Sequence, residues 1–455
     1  MNEIRDIIEK QREYFKKGET LSFDFRCYEI KKLKKAVIAY EKKLMEALNK
    51  DLGKSEFEAY ETEFAVFYTE VENALSNIRK WMRTKTVKTP IFSFPAKSRI
   101  YATPKGVVLI MSPWNYPVLL TLSPLLYAIA AGNCAVVKPS RYSKNVSSVL
   151  KEMINEYFNE KYISIFEGGS EVNTELLSIP FDHIFFTGSP KVGKVVMKAA
   201  AEHLSPVTLE LGGKSPCIVD DTANIDITAK KIIWGKCVNA GQTCIAPDYV
   251  LLHSSVKTPF LKACVKHIKE FFGDDAIRSP EYPKIINKKH FTRLTKLLEN
   301  EEIYFGGGSD ENKLKIQPTI VLADETSPLM SEEIFGPILP IITVDTVGEA
   351  YEIIERHPHP LALYLFTERK TTQEYVIKNI QFGGGCINDT IMHIANDDLP
   401  FGGIRESGMG RYHGRYGFDT FTHYKPVVKK GMRSDIKFKY PPYKNKINLI
   451  KKLIK

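Results

Sequence analysis

Apolar positions divide the chain into a helical start followed by two stretches in which strands and helices alternate. Leu33, Val37, Ala39, Tyr40, Leu44, Leu48 and Leu52 recur at the spacing of one helix face. Lys50-Asp51-Leu52-Gly53 closes that run with a glycine just beyond it, a C-terminal stop. Residues 1–80 as a whole read as helical, and Phe57–Trp81 predicts a second long helix. Its acids Glu56, Glu58, Glu61, Glu63, Glu70 and Glu72 are expected on a solvated face. Thr84–Tyr101 breaks the pattern with Pro90 and Pro95 and reads as a connector holding a hairpin.

Beyond it, 106–111, 135–138, 163–166 and 183–186 are short apolar runs of strand length, and Leu119–Ala131 between the first two is a helix. A second unit of the same kind begins near Glu210. Ser215–Val219, Tyr249–His253 and Ile338–Val344 are its predicted strands, and Lys257–Phe272 is a helix. Gly306-Gly307-Gly308-Ser309 is a turn, and Tyr424–Tyr443 returns to alternating, proline-broken sequence. Strands alternating with helices imply parallel, doubly wound α/β sheets, which bind ligands at the carboxyl ends of their strands.

The chain has 455 residues, enough for two or three domains. Hydrophobic residues make up 43% and charged residues 26%, a globular balance. Seven cysteines without CxxC spacing argue against a disulfide framework and for a reducing, cytoplasmic setting. The charged N-terminus lacks a signal-peptide core, and Val107–Met111 and Leu119–Ala131 are too short to span a bilayer. Net charge is +10, but the lysines are scattered and carry no nucleic-acid-binding motif, so no nucleic acid is expected. The histidines lack HxxH or HExxH spacing, so no metal is expected either. The tail 444–455 pairs apolar residues with lysines at helical spacing. This fits a helix docked on a partner subunit, a frayed end, or weak peripheral contact with an anionic membrane.

The chemistry centres on Gly241-Gln242-Thr243-Cys244. A cysteine attacks as the thiolate, so it needs a partner that takes its proton. Upstream, Leu209-Glu210-Leu211-Gly212-Gly213-Lys214 sets an acid in an apolar run followed by two glycines. Burial raises a carboxyl pKa, which makes Glu210 a candidate general base. These two segments, with Pro113-Trp114-Asn115-Tyr116-Pro117, Val137-Lys138-Pro139-Ser140, Phe186-Thr187-Gly188-Ser189, Glu332-Glu333-Ile334-Phe335-Gly336-Pro337 and Leu399-Pro400-Phe401-Gly402-Gly403, resemble the NAD(P)-dependent aldehyde dehydrogenase superfamily. The motifs follow the family's order and spacing over roughly residues 1–440. The short N-terminus and Lys439-Tyr440-Pro441-Pro442 are most similar to its class 3 branch, which acts on fatty and aromatic aldehydes.

The resemblance implies two Rossmann-like domains and a small β oligomerisation arm. Residues 1–83 and 104–209 would bind NAD or NADP, 210–423 would carry catalysis, and 84–103 with 424–443 would form the arm of a homodimer. Cys244 would add to a small-molecule aldehyde. The resulting oxyanion would be held by the Asn115 amide and the Cys244 N–H, hydride would leave to the nicotinamide, and Glu210 would activate water against the thioester. Lys138, Ser140, Gly188, Ser189, Gly193, Glu333 and Phe335, with Trp114 and Leu211 beside them, would form the cofactor site. Asn388 resembles a family asparagine that orders the site, with loop punctuation as its other reading. The run from Gly188 to Lys194 also mimics a nucleotide-hydrolase loop, but Val195 stands where that motif needs Ser or Thr for a metal.

One position departs from the family. Its usual Lys-Pro-Ser-Glu ends here in Arg141, and a guanidinium suits a 2′-phosphate where an acid repels it. NADP is therefore expected to serve at least as well as NAD. Rival readings are a coenzyme-A-acylating relative, against which Glu210 stands, and a catalytically idle protein on this fold. The substrate itself is not legible; Tyr60, Tyr116 and Phe401 are candidate tunnel walls.

Overall fold

The computed structural model describes residues 2–432, 436–444 and 446–454. Positions 433–435, within the expected arm, and Asn445 and Lys455, within the expected tail, lie outside the described residues. Helices Asn2–Lys16 and Phe23–Leu52 open the chain. The second of these ends where Gly53 takes φ 67°, a left-handed cap that its sequence stop predicts.

The helix expected over Phe57–Trp81 forms as Glu56–Ala59 and Val66–Trp81 joined by a π-helical turn at Tyr60–Ala65. The expected solvated face holds for Glu56, Glu61 and Glu72, which are exposed, and fails for the other three acids. Glu63 and Glu70 are fully buried, and Glu58 is half-buried. Each is covered because another element needs its charge or its acceptor atoms. Glu58 Oε1 accepts from the Asn239 N–H at 2.9 Å. Glu63 Oε1 pairs with the buried Lys54 ammonium at 2.6 Å. Its Oε2 accepts from the N–H groups of Val118 and Leu119 at 2.8 and 3.2 Å. These donors open the Leu119–Ala131 helix, and an anion at a helix N-terminus is favourable.

The first sheet has six strands in the order Gly408–Met409, Val207–Leu211, His183–Gly188, Val107–Met111, Cys134–Lys138 and Ile163–Ile165. All pairs are parallel except that of the edge strand Gly408–Met409. The sheet runs outward in both directions from the adjacent strands Val107–Met111 and His183–Gly188. The crevice at their carboxyl ends is the switch point where such sheets bind ligands. Pro113–Pro117 and Ser189 follow directly from those two strands. Glu210 lies in Val207–Leu211, so the chain leaves this sheet just beyond it, through 212–215.

The second sheet has seven strands, in the order Glu302–Phe305, Thr319–Leu322, Ile338–Val344, Tyr249–His253, Pro216–Val219, Ala362–Phe366 and Gly384–Ile387. Only the Glu302–Phe305 pair is antiparallel. A third, antiparallel sheet joins Lys85–Val87, Lys97–Pro104 and Thr422–Lys429, the last two paired along eight residues. The helix Leu119–Ala131, Pro124 included, is buried on every side, as its uninterrupted apolar sequence requires. A short helix Ile447–Ile454 forms in the tail, with a hollow of about 310 Å³ between it, Phe92 and Phe438. No helix among the described residues is long and apolar enough to cross a membrane.

Candidate active site

A cavity of about 820 Å³ lies at the carboxyl ends of the first sheet's strands, where they face the second sheet. Trp114, Asn115, Gly188, Ser189, Glu210, Leu211, Cys244, Glu333 and Phe335 all line it. Residues distant in sequence and expected to act together are thus gathered around one space. Lys138, Ser140, Arg141 and Gly193 are not in its wall. Gly193 lies just beneath: a Cβ there would stand 2.7 Å from the Leu211 side chain. Lys138, Ser140 and Arg141 sit at and beyond the carboxyl end of Cys134–Lys138, the next strand of the sheet.

Cys244 is positioned by a strained loop. Asn239, Ala240 and Gly241 take φ of 52°, 51° and 73°, three successive left-handed residues. L-residues pay roughly 1–2 kcal/mol each for this conformation, so surrounding contacts must hold it. Asn239 supplies most of them: its N–H donates to Glu58, and its side-chain amide donates to the carbonyls of Asn115 and Gln242 at 2.8 and 3.1 Å. Gln242 Nε2 donates to Asn239 and Lys284 carbonyls, and its Oε1 accepts from the Ile286 N–H. Tyr116 Oη lies 2.5 Å from Thr243 Oγ1. The turn that carries Asn115 and the loop that carries Cys244 are therefore one hydrogen-bonded unit.

Cys244 is half-buried. Burial pushes its thiol up to about 12, and the Glu333 and Glu210 carboxyls act in the same direction. Hydrogen bonding from the backbone of Cys244 and Ile245 favours the thiolate. The resting sulfur is therefore protonated and needs a base. Glu210 is 3% exposed, and neither carboxyl oxygen has a hydrogen-bond partner. Burial alone holds its pKa well above the usual carboxylate range. An acid without a partner is free to swing and to exchange protons. Asn115 is 3% exposed, and no group among the described residues hydrogen-bonds its side-chain amide.

Glu333 is held against the glycines that follow Glu210. A Cβ on Gly212 would stand 2.1 Å from Glu333 Oε2. Burial pushes Glu333 up to about 8, with the neighbouring Asp248 carboxyl adding to the rise and the Gly213 N–H and two lysines opposing it. Phe335, at φ 52°, packs edge-on against Trp114 at 5.3 Å, and His290 closes the other side of Trp114 at 5.2 Å. Sequence reading missed the groups that fix this loop. The buried Lys214 ammonium donates to Asp248 at 2.6 Å and to the Leu329 and Glu332 carbonyls at 2.7 and 3.2 Å. Asp248 also accepts from the Ile334 N–H at 3.0 Å. Lys214 directly follows the two glycines, but nothing along the chain pairs it with Asp248.

The side-chain chemistry fits a dinucleotide. Lys138 is buried, burial lowers it to about 8, and among the described residues its ammonium donates only to the neighbouring Pro139 carbonyl, which leaves donors for a ligand. Thr187 Oγ1 is buried in the cavity wall without a partner. Ser189 caps the helix Pro190–His203 next to Gly188 and Gly193, and helix N-termini suit phosphate groups. Glu333 offers acceptors for hydroxyls. Arg141 is exposed and stacks on Tyr142, 5.2 Å from its ring centre. Part of the remaining wall is apolar, with Leu119, Leu120, Trp234, Val238, Ile245 and Ile391 beside Tyr116 and Phe401, while Glu61, Lys191, Lys194, Lys289, Arg293 and Glu406 also line the cavity. Tyr60 is not in this wall and is 44% exposed. Asn388 punctuates a loop: its side chain exchanges two hydrogen bonds with the Thr367 backbone, at 2.9 and 3.1 Å, and it is not in the cavity wall.

Residues 1–427 match the family model described as the aldehyde dehydrogenase family. Over 458 residues the chain is 48% identical to 4,4'-diaponeurosporen-aldehyde dehydrogenase of Staphylococcus aureus, covering 100% of both. Over 438 residues it is 43% identical to aldehyde dehydrogenase family 3 member A2 of Rattus norvegicus, covering 96% of this chain and 90% of that protein. A solved structure described as the substrate bound state of Staphylococcus aureus AldH superposes with a TM-score of 0.98 at 48% identity, covering 100% of each chain. Mycobacterium tuberculosis aldehyde dehydrogenase complexed with NAD+ gives a TM-score of 0.84 at 26% identity, covering 94% of this chain and 90% of that one. The chain belongs to the aldehyde dehydrogenase family, resembles its class 3 members, and is an NAD(P)-dependent oxidoreductase that converts an aldehyde to a carboxylic acid.

Proposed function

We propose that the aldehyde is apolar, that it becomes covalently attached to Cys244, and that Glu210 activates the water that releases the acid. The observation that carries this reading is the juxtaposition of Cys244 and an unpartnered Glu210 on one cavity whose wall includes a run of apolar side chains. Glu210, held neutral at rest by burial, gives its proton to solvent and as the carboxylate takes the thiol proton. The sulfur adds to the carbonyl carbon and forms a thiohemiacetal. The Asn115 amide and the Cys244 N–H hold the oxyanion, and one such donor is worth about 10²–10³ in kcat. The nicotinamide, when bound, supplies the acceptor for the hydride that this species gives up. Cys244 is then a thioester. Glu210 passes the thiol proton to solvent and then takes a proton from water as that water attacks the thioester carbon; the acid leaves and the sulfur regains a proton from Glu210.

The cofactor role is divided among named groups. Lys138 and Glu333 hold ribose hydroxyls, Gly188, Ser189 and Gly193 present a helix start to the pyrophosphate, and Trp114, Leu211 and Phe335 pack around the reactive end. Ser140 and Arg141 flank the adenosine ribose. The same reading gives cofactor binding to 1–83 and 104–209, catalysis to 210–423, and homodimer formation to the arm 84–103 with 424–443, in a cytoplasmic setting. Exposed Val427 and Val428 on Thr422–Lys429 support an interface there. The tail helix carries Lys451 and Lys452 beside exposed Ile447 and Ile450, which supports docking on a partner subunit or on an anionic membrane.

The apolar part of the wall, Leu119, Leu120, Trp234, Val238, Ile245 and Ile391, supports aromatic and medium- or long-chain aliphatic aldehydes, as does the substrate named for the Staphylococcus aureus relative. Reduction of each cofactor with benzaldehyde, a medium-chain aldehyde and acetaldehyde tests this reading. The expected order in kcat/KM places acetaldehyde last by about tenfold or more, since each buried CH₂ is worth about 0.8 kcal/mol. Equal rates for all three would overturn the apolar assignment.

A further inference from the structure

We propose that Glu70, Asp397 and His413 form a binding site for a divalent transition cation, of the zinc or manganese type, behind the wall of the substrate cavity. One ligand atom from each residue lies within 4.8 Å of the others. Glu70 belongs to the helix Val66–Trp81, Asp397 follows the turn Met392–Ala395, and His413 directly precedes the helix Gly414–Thr420. The three are scattered along the chain, which is why spacing rules for metal motifs do not find them.

Two observations point to a ligand between these groups. First, Glu70 Oε1 and His413 Nδ1 are buried and hydrogen-bond to nothing, although they face each other at 3.3 Å. Glu70 is 0% exposed and His413 1%. Donors bound to one zinc ion at about 2.1 Å in a tetrahedral site stand about 3.4 Å apart. Second, neither carboxyl has a lysine or arginine within ion-pair distance among the described residues. Two carboxyls beside a buried imidazole lack positive charge, and a bound cation would supply it.

The surroundings orient the donors as metal sites require. Ser123 donates to Glu70 Oε2, which leaves Oε1 for the ion. Asn73 donates to Asp397 Oδ2 at 2.9 Å, which leaves Oδ1. His413 is held at φ 77°, and the Gly414 N–H donates to Tyr127 Oη at 2.8 Å. A Cβ on Gly414 would stand 2.0 Å from the Asp397 carbonyl oxygen, so the two ligand-bearing backbones touch. A mixed carboxylate and imidazole set without thiolate favours zinc or manganese over calcium or magnesium. His413 packs on Tyr412 at 4.3 Å and on Phe401 at 5.4 Å, and both line the cavity. An ion here would tie that wall to the Val66–Trp81 helix.

The test uses the full chain with Cys244→Ala, which removes the reactive thiol as a competing ligand. Protein stripped with a chelator is dialysed against zinc, and bound metal is counted by mass spectrometry; cobalt(II) then serves as the optical probe. The expected result is about one equivalent per chain and a cobalt spectrum without a sulfur charge-transfer band. His413→Asn loses the ion, and Asn73→Ala weakens cobalt binding by about 10- to 100-fold. Should His413→Asn fail to fold, Asp397→Asn on the partly exposed loop decides the matter by the same loss. Absence of bound zinc in the Cys244→Ala chain would overturn the proposal, as would an equivalent of zinc that the folded ligand variants retain.

Discussion

A Cβ on Gly241 would stand 2.2 Å from the carbonyl oxygen of Gly336. The loop that carries Cys244 and the loop that carries Glu333 and Phe335 therefore touch backbone to backbone, and Gly241 at φ 73° is doubly constrained. Gly241→Ala must adopt a left-handed conformation, at about 1–2 kcal/mol, and must also push the Glu333 loop away. The expected outcome is a lower melting temperature and a kcat reduced by at least about tenfold, with the cofactor KM raised as well. Melting curves and steady-state kinetics with varied NAD check it. An alanine variant with unchanged cofactor KM would show that the contact does not position the Glu333 loop.

Stability should carry the mark of the buried acid. Glu210 in the unfolded chain ionises near about 4.3, whereas burial holds it well above that in the fold. Between those values the fold retains a proton that the unfolded chain has released. Wild-type stability therefore falls as pH rises through this window. Glu210→Gln has no such proton, so it should gain stability relative to wild type between pH about 4 and about 7. Denaturant titrations of both proteins across that range measure the difference. A constant difference would mean that Glu210 is not held neutral.

Arg141 tests cofactor choice. Its guanidinium is exposed and stacked on Tyr142, and a Cβ on Gly169 would lie 3.1 Å from its Nη1. It thus stands over the glycine turn beside the carboxyl end of Cys134–Lys138, where the proposed pairing with a 2′-phosphate would be made. Arg141→Glu should lower the NADP-to-NAD ratio of kcat/KM by about tenfold or more, the scale of a lost charge-assisted hydrogen bond. The ratio is read directly from initial rates with each cofactor, and an unchanged ratio would remove Arg141 from cofactor selection.

Strong local patterns were legible along the chain. Leu119–Ala131, Tyr249–His253, Lys257–Phe272 and Ile338–Val344 form as the apolar runs predict, because each run is bounded by clear stops. The cluster of Cys244, Glu210, Asn115 and Glu333 on one cavity follows from the resembled motifs. What escaped the sequence depends on partners far along the chain. Glu63 and Glu70 look like surface acids in a charged helix, yet the Leu119–Ala131 helix and the His413 segment close over them. The Lys214–Asp248 pair was equally invisible, since burial alone distinguishes it from any other lysine and aspartate.

The most direct test of the central claim is rapid-mixing measurement of reduced nicotinamide formation by Glu210→Gln with a medium-chain aldehyde, run beside Cys244→Ala. The account predicts that Glu210→Gln forms its first equivalent of reduced nicotinamide per active site more slowly than wild type, because the thiol has lost its base, and then turns over more slowly still, by about 10²–10⁴-fold, the range for loss of a general base. It predicts no reduction at all in Cys244→Ala. Full steady turnover by Glu210→Gln would contradict the assignment of the water-activating base, and reduction by Cys244→Ala would contradict the covalent route itself.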